Sequence, residues 1–225
     1  RVYNFDGNSW IQLGIDIDGE SANDYSGHSV SVSSDGSRVA IGAYNNTGNF
    51  STSGHVRVYN WGGSSWIQIG QDIDGEGAGD GCGWSVSLSN DGNTLAIGAR
   101  TNNGSGNNDA GHVRVYQNLG GSWIQLGQTI NGESDGDQSG TEGSISISND
   151  GYTVAIGAPE NEGNSGHVRV YQYSGNSWFQ IGQDVNGEYS GSRCGTSVAL
   201  NDDGSILVTG EPDNQVPGSG FGPGK

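Results

Sequence analysis

Alternate carboxylates set around a glycine are the densest chemistry in this sequence. Asp16-Ile17-Asp18-Gly19-Glu20 and Asp72-Ile73-Asp74-Gly75-Glu76 offer oxygen atoms at a spacing that a hard cation such as calcium accepts. Later copies are diluted, with Thr129 standing where Asp72 does and Asn131 and Asn186 where Asp74 does. Calcium held by Asp16, Asp18, Glu20, Asp72, Asp74 and Glu76 is therefore one expectation. The plainer one is that Asp-Gly and Asn-Gly pairs form turns and their acids stay in water.

His55, His112 and His167 are each followed two residues later by Arg57, Arg114 and Arg169. Such a set would suit catalysis or metal binding if it converged. It recurs once per module, so each copy is expected to work within its own module, the histidine in a hydrogen bond and the arginine on a nearby acid. Positions where the copies differ are better candidates. Trp84 shares its phase with His28, Gly143 and Thr196, and is expected to be a ligand-stacking aromatic or a plug of a central channel, with His28 beside the same opening. Trp61, in phase with Phe5, Tyr173 and Asn118, is expected at the opposite rim, where an aromatic can pack on a neighbour in an assembly.

Cys82 and Cys194 also share a phase, with Ser26 and Thr141 in the other copies. A disulfide between them is conceivable if the modules close into a ring of four. Two cysteines so far apart form no zinc motif. Asn45-Asn46-Thr47, Asn49-Phe50-Ser51 and Asn103-Gly104-Ser105 fit the N-glycosylation pattern in polar stretches. No serine or cysteine nucleophile stands with a paired histidine and acid, so an enzyme is not expected. A polysaccharide hydrolase using two of the many carboxylates is the least favoured alternative.

The balance of 8 basic against 25 acidic residues gives a net charge of −17, which repels phosphate backbones and excludes nucleic acid as a partner. Anionic membranes are disfavoured for the same reason, and no apolar run reaches the roughly 18 residues of a membrane span. Strong acidity with a single Lys and no Met suits an extracellular or cell-surface protein in a salty medium. Arg1 falls inside a module, so the sequence is expected to be a mature product or a segment of a longer chain.

The elements that must position these groups are repeats. GHVRVYNWGGSSWIQIGQDIDG from Gly54 returns from Gly111 and from Gly166, and Trp10, Trp66, Trp123 and Trp178 are 56, 57 and 55 residues apart. A period of that size identifies a repeat architecture whose modules stack to bury a core. Within a repeat, SVSVS from Ser29 alternates with period two, Ser34-Asp35-Gly36 turns the chain, and VAIGA from Val39 returns. After a loop, VRVYNW from Val56 and WIQIGQDI from Trp66 make a second hairpin around Gly62-Gly63-Ser64. Four antiparallel strands per repeat, here called A to D, and no helical period predict an all-β protein, a β-propeller of four-stranded blades. The expected order is a half blade over 1–25, blades over about 26–82, 83–140 and 141–193, and a half blade over 194–217, with 218–225 a tail or linker. A closed four-bladed ring and an arc of a larger propeller fit equally well.

The succession GxSVSxSxDGxxLAIGA, a polar loop and GHVRVY resembles the FG-GAP repeats of integrin-α-type propellers, and the hairpin SNDGNTLAIGA is similar to those of WD40-related propellers. The FG-GAP resemblance implies an extracellular, adhesive propeller. Its D-x-D-G-D-G calcium loop between strands A and B is not matched, because Ser34-Asp35-Gly36 and Asn90-Asp91-Gly92 stand there. Strand alternation puts the tight A-to-B and C-to-D turns on one face and the long B-to-C and D-to-A loops, with most of the acids, on the other. The expected function is a non-catalytic module with a structural or adhesive role, such as a unit of a fibre or large surface protein, binding other protein copies or surface components. A calcium-dependent or carbohydrate-binding propeller, taking glycans on the acidic face, is the alternative.

Overall fold

A computed structural model describes residues 1–104 and 106–213 of the chain, so the expected tail and the last residues of the second half blade lie outside the described residues. β1 (Tyr3–Phe5) and β2 (Trp10–Gln12) form an antiparallel pair. In the first full blade, β3 (Ser29–Val32), β4 (Arg38–Ala43), β5 (His55–Trp61) and β6 (Trp66–Gln68) pair in that order, and the two-residue β7 (Ile73–Asp74) returns to β5. The second blade repeats this as β8 (Cys82–Leu88), β9 (Thr94–Ala99), β10 (His112–Leu119), β11 (Ser122–Gln125) and β12 (Ile130–Asn131). The third has β13 (Ile145–Ile147), β14 (Thr153–Ala158), one helical turn α1 (Asn161–Asn164), β15 (His167–Ser174), β16 (Ser177–Gln180) and β17 (Val185–Asn186). β18 (Val198–Leu200) and β19 (Leu207–Thr209) end the described chain as a separate pair. The expected order of four antiparallel strands per blade is present. Among the described residues the two half blades do not join, and the architecture is an open arc of propeller blades.

One strand differs from the reading of the sequence. WIQIGQDI is broken into β6 and β7 because Gly70 between them turns with φ +74 and receives Trp123 of the next repeat. A side chain cannot stand there, since an added Cβ would lie 2.8 Å from Trp123 Cδ1. Gly127 meets Trp178 in the same way, also at 2.8 Å, and Gly14 meets Trp66 at 3.3 Å. Each indole Nε1 then donates to a backbone carbonyl of the preceding repeat: Trp66 to Leu13 at 2.8 Å, Trp123 to Ile69 at 3.0 Å and Trp178 to Leu126 at 2.7 Å.

The core lies between blades and not inside them. Val56, Val58 and Ala40 of the first blade bury against Val86, Leu95 and Ile97 of the second, and Val113 and Val115 of the second bury against Ile145, Val154 and Ile156 of the third. A strand covered on both faces has no reason to alternate, which is why β9 and β14 are buried throughout while Val30 and Val32 of β3 remain exposed. The serines of SVSVS act at the same interfaces. The hydroxyl oxygens of Ser31, Ser87 and Ser146 accept from the amides of Leu88, Ile147 and Leu200 in the following repeat, at 3.0, 3.2 and 2.9 Å.

At the tight turns, Asp35 Oδ1 accepts from Ser33 Oγ at 2.7 Å and from the Ser37 amide at 2.9 Å, and Asp91 repeats the arrangement with Ser89 and Asn93. The acid therefore closes the turn. The Ser37 amide, with the Ser33 hydroxyl, pulls the Asp35 carboxyl down to about 2 from its ordinary 3.8. A carboxyl so lowered stabilises the fold in full above pH 3.8, and that contribution disappears as pH falls toward 2. We expect the melting-temperature gap between the wild type and Asp35→Asn to be constant above pH 5 and to shrink between about pH 4 and 2. Trp123 is 2% exposed and Trp10 is 69% exposed. Trp123→Ala should therefore cost about 3–5 kcal/mol in denaturant unfolding, and Trp10→Ala no more than about 0.5 kcal/mol.

Candidate functional site

The long-loop face is built from one motif repeated at each joint. The glutamine that ends strand D reaches four residues on: Gln68 Nε2 donates to Asp72 Oδ1 at 2.5 Å and Gln180 Nε2 to Asp184 Oδ1 at 2.6 Å. The second carboxylate oxygen faces the histidine that opens strand C, with Asp72 Oδ2 3.7 Å from His55 Nδ1 and Asp184 Oδ2 3.8 Å from His167 Nδ1. A glutamate from the preceding D-to-A loop stands on the same histidine. Glu20 Oε2 is 3.8 Å from His55 Nδ1, and Glu76 Oε2 is 4.0 Å from His112 Nδ1. In the middle repeat Thr129 replaces the aspartate, and Gln125 donates to its hydroxyl instead, at 3.3 Å.

The arginine two residues after each histidine holds the other side of that glutamate. Arg57, Arg114 and Arg169 place Nη1 3.9, 3.4 and 3.3 Å from Oε1 of Glu20, Glu76 and Glu133. Their Nη2 groups donate to the carbonyls of Asp18, Asp74 and Asn131 at 2.8, 2.8 and 2.9 Å. Loop and strand of adjacent repeats are thus tied together, and the ring of the tyrosine two residues on lies under each guanidinium. All three histidines are 2% exposed. Burial holds their imidazoles below the ordinary histidine range, His112 down to about 3, so they are neutral near pH 7.

This geometry corrects the grouping expected for calcium. Asp72, Asp74 and Glu76 do not converge: Asp72 turns to His55 of its own blade, Asp74 Oδ2 accepts from Asn49 at 2.8 Å, and Glu76 turns to His112 and Arg114 of the next. Asp16 pairs with Arg1 at 2.9 Å and Asp18 offers its backbone carbonyl to Arg57. The groups brought together are Glu20, His55 and Asp72 in one place and Glu133, His167 and Asp184 in another. Alternation along a strand sends carboxylates two residues apart to the same side, but β7 is only Ile73–Asp74, so Asp72 lies before it and Glu76 after it, each with its own partners. The readable signal was the glutamine four residues before the aspartate.

Around Trp84 the structure assembles an aromatic group that spans two blades. Tyr44 lies 4.0 Å and His28 5.2 Å from the Trp84 ring, Tyr25 stacks on Tyr44 at 5.2 Å, and the Arg100 guanidinium sits 4.4 Å over Trp84. His28 also faces Glu142 at 3.6 Å. Trp84 and Arg100 line a cleft of about 460 Å³ with Glu142, Glu160, Arg193 and Thr196. Trp84 and His28, which share a phase, are in ring contact, and Tyr44 and Arg100 join them as partners that the phase comparison missed. Trp61 is placed otherwise than expected. It is half-buried against Trp66, ring centroids 5.2 Å apart, and over Gly14, so it packs on the preceding repeat of its own chain.

Of the glycosylation candidates, Asn49 and Asn103 are exposed, whereas Asn45 is half-buried and donates through Nδ2 to the Asn23 carbonyl at 2.8 Å. Ser105, the third residue of the Asn103 pattern, lies outside the described residues. Cys82 and Cys194 are free thiols, not a disulfide. Cys82 opens β8 and Cys194 precedes β18, and each thiol turns to a carbonyl of the preceding repeat, Cys82 to Ile73 at 3.6 Å and Cys194 to Val185 at 3.5 Å. Parallel bridges to Gly54, Gly111 and Gly166 align Cys82 and Cys194 with Ser139, not with Thr141. Burial raises the Cys82 thiol to about 11. We expect a thiol-specific chromogenic reagent at pH 8 to leave Cys82 unmodified in the native protein and to titrate both cysteines after denaturation, without prior reduction.

No protein-family model matches the sequence, and no curated protein matches it either. Among solved structures, the chain is similar to TolB from Acinetobacter baumannii, with TM-score 0.51 and 12% identity over 86% of this chain and 39% of that one. It is similar to a putative 6-phosphogluconolactonase from Bacteroides uniformis, with TM-score 0.55 and 14% identity over 81% and 46%. It is also similar to Sqt1 from Saccharomyces cerevisiae, with TM-score 0.54 and 17% identity over 86% and 44%. The chain spans less than half the length of each. At these identities what is shared is the fold, and the fold is the β-propeller, in agreement with the blade reading of the repeats.

Proposed function

We propose that this chain is a non-catalytic propeller module of an extracellular or cell-surface protein, with a structural or adhesive role. One observation carries the reading. The tryptophans and arginines that recur in each repeat are occupied in joining repeats, the tryptophans on carbonyls and the arginines on both the loop glutamates and the loop carbonyls. What remains for contact is a wide acidic face of exposed loops on a rigid scaffold, where recognition usually resides. The likeness of the repeat to FG-GAP sequences agrees with adhesion, and the net charge of −17 favours a cationic or cation-bridged partner.

A second reading rests on the cleft beside Trp84. Its aromatic group and the flanking Arg100, Glu142 and Arg193 suit a sugar, whose apolar face stacks on a ring and whose hydroxyls take charged partners. Two measurements decide between these readings and an enzyme. Incubation with a panel of polysaccharides and glycosides should release no reducing sugar, and turnover would overthrow the module reading. On a glycan array with and without calcium, the structural or adhesive module should give no signal that is lost with Trp84→Ala. A signal lost in that variant establishes the cleft as a carbohydrate site.

A further inference from the structure

Two joints between repeats surround a buried histidine with carboxylates on two sides. In each set, Glu20-His55-Asp72 and Glu133-His167-Asp184, the ligand-capable atoms lie within 4.8 Å of one another. The gaps from His55 Nδ1 to Glu20 and Asp72 are 3.8 and 3.7 Å, and that from His167 Nδ1 to Asp184 is 3.8 Å. These are too long for hydrogen bonds. They are close to the separation of about 3.4 Å between two ligands each roughly 2.1 Å from one tetrahedral ion.

The histidines are not engaged elsewhere in a way that accounts for their place. His167 is 2% exposed, its Nε2 is buried with no hydrogen-bond partner, and its Nδ1 faces Asp184. The carboxylates are already aimed. Gln68 and Gln180 hold Oδ1 of Asp72 and Asp184 and leave Oδ2 toward the histidine. Arg57 and Arg169 face Oε1 of Glu20 and Glu133. Outer partners of this kind fix ligand orientation in metal sites. Two carboxylates against one guanidinium leave each set negative, and the glutamates, 47% and 48% exposed, give an ion a way in.

We propose that each of these two sets binds one divalent cation of the zinc class, through an imidazole nitrogen and two carboxylate oxygens, with water completing the coordination. The imidazole selects zinc, cobalt or nickel over calcium and magnesium, which prefer oxygen alone. Each ion would bridge repeats, because the glutamate comes from the loop before the sheet that carries the histidine and aspartate. The third joint is an internal control: His112 faces Glu76 but has Thr129 where the aspartate would be. Binding at these joints does not depend on what the acidic face adheres to.

The test is calorimetric titration of zinc chloride into the chelator-treated full chain, with calcium chloride in parallel and circular dichroism to verify folding. The wild type should take up two equivalents of zinc, Asp72→Asn and Asp184→Asn one each, and Thr129→Asp three. A tenfold excess of calcium should leave those stoichiometries unchanged. The proposal is overturned if the folded wild type takes up no zinc, if the stoichiometry is the same in all variants, or if calcium displaces the zinc. The gain in Thr129→Asp keeps the test decisive even if an aspartate variant fails to fold.

Discussion

Everything in this molecule depends on an indole seated on a glycine of the repeat before it. Trp123 fills the space over Gly70 that a side chain would deny it, and its Nε1 closes a hydrogen bond to the Ile69 carbonyl at 3.0 Å. The contact combines burial of the largest side chain with satisfaction of its one polar atom, which is the condition under which tryptophan belongs in a core. It also sets the period, since the glycine and the tryptophan that meet are 52, 53 and 51 residues apart in Gly14 and Trp66, Gly70 and Trp123, and Gly127 and Trp178. A blade is a flat sheet with no interior, so this joint and the valine and isoleucine packing beside it supply the stability a compact domain draws from its centre.

Burial accordingly follows position in the arc. The second blade has neighbours on both faces, and its strands β9 and β10 are closed to solvent over most of their length. The half blades show the opposite, with Trp10, Ile11, Ile206 and Val208 each more than half exposed. The same sequence pattern therefore has two outcomes, decided by whether a neighbouring repeat lies against it.

The acidic face follows from the same economy of joints. Arg57, Arg114 and Arg169, three of the few cations near the long loops, are turned inward to glutamates and carbonyls. The remaining loop acids have few cations to meet, so the negative charge gathers where the loops are longest. The carboxylates that are paired are held in place by glutamine and arginine, which is why the joint histidines stand among oriented oxygens and not in a diffuse acidic field.

The sequence by itself determined the repeat, the four-strand module and the location of the acids, because these depend on periodicity, turn residues and alternation along a strand. It also singled out Trp84 and His28, since unlike residues at one phase stand out against copies that agree. Only the tertiary structure decided which groups meet across a joint: that Asp72 and Glu76 face different histidines, that Tyr44 and Arg100 close on Trp84, that Trp61 turns to its own chain, and that the cysteines stay apart. The physical reason is that a strand fixes the side on which a residue projects, while its partner is set by the twist and offset between sheets. Those arise from packing of residues more than 50 positions apart, such as Gly70 and Trp123, and no local pattern contains them.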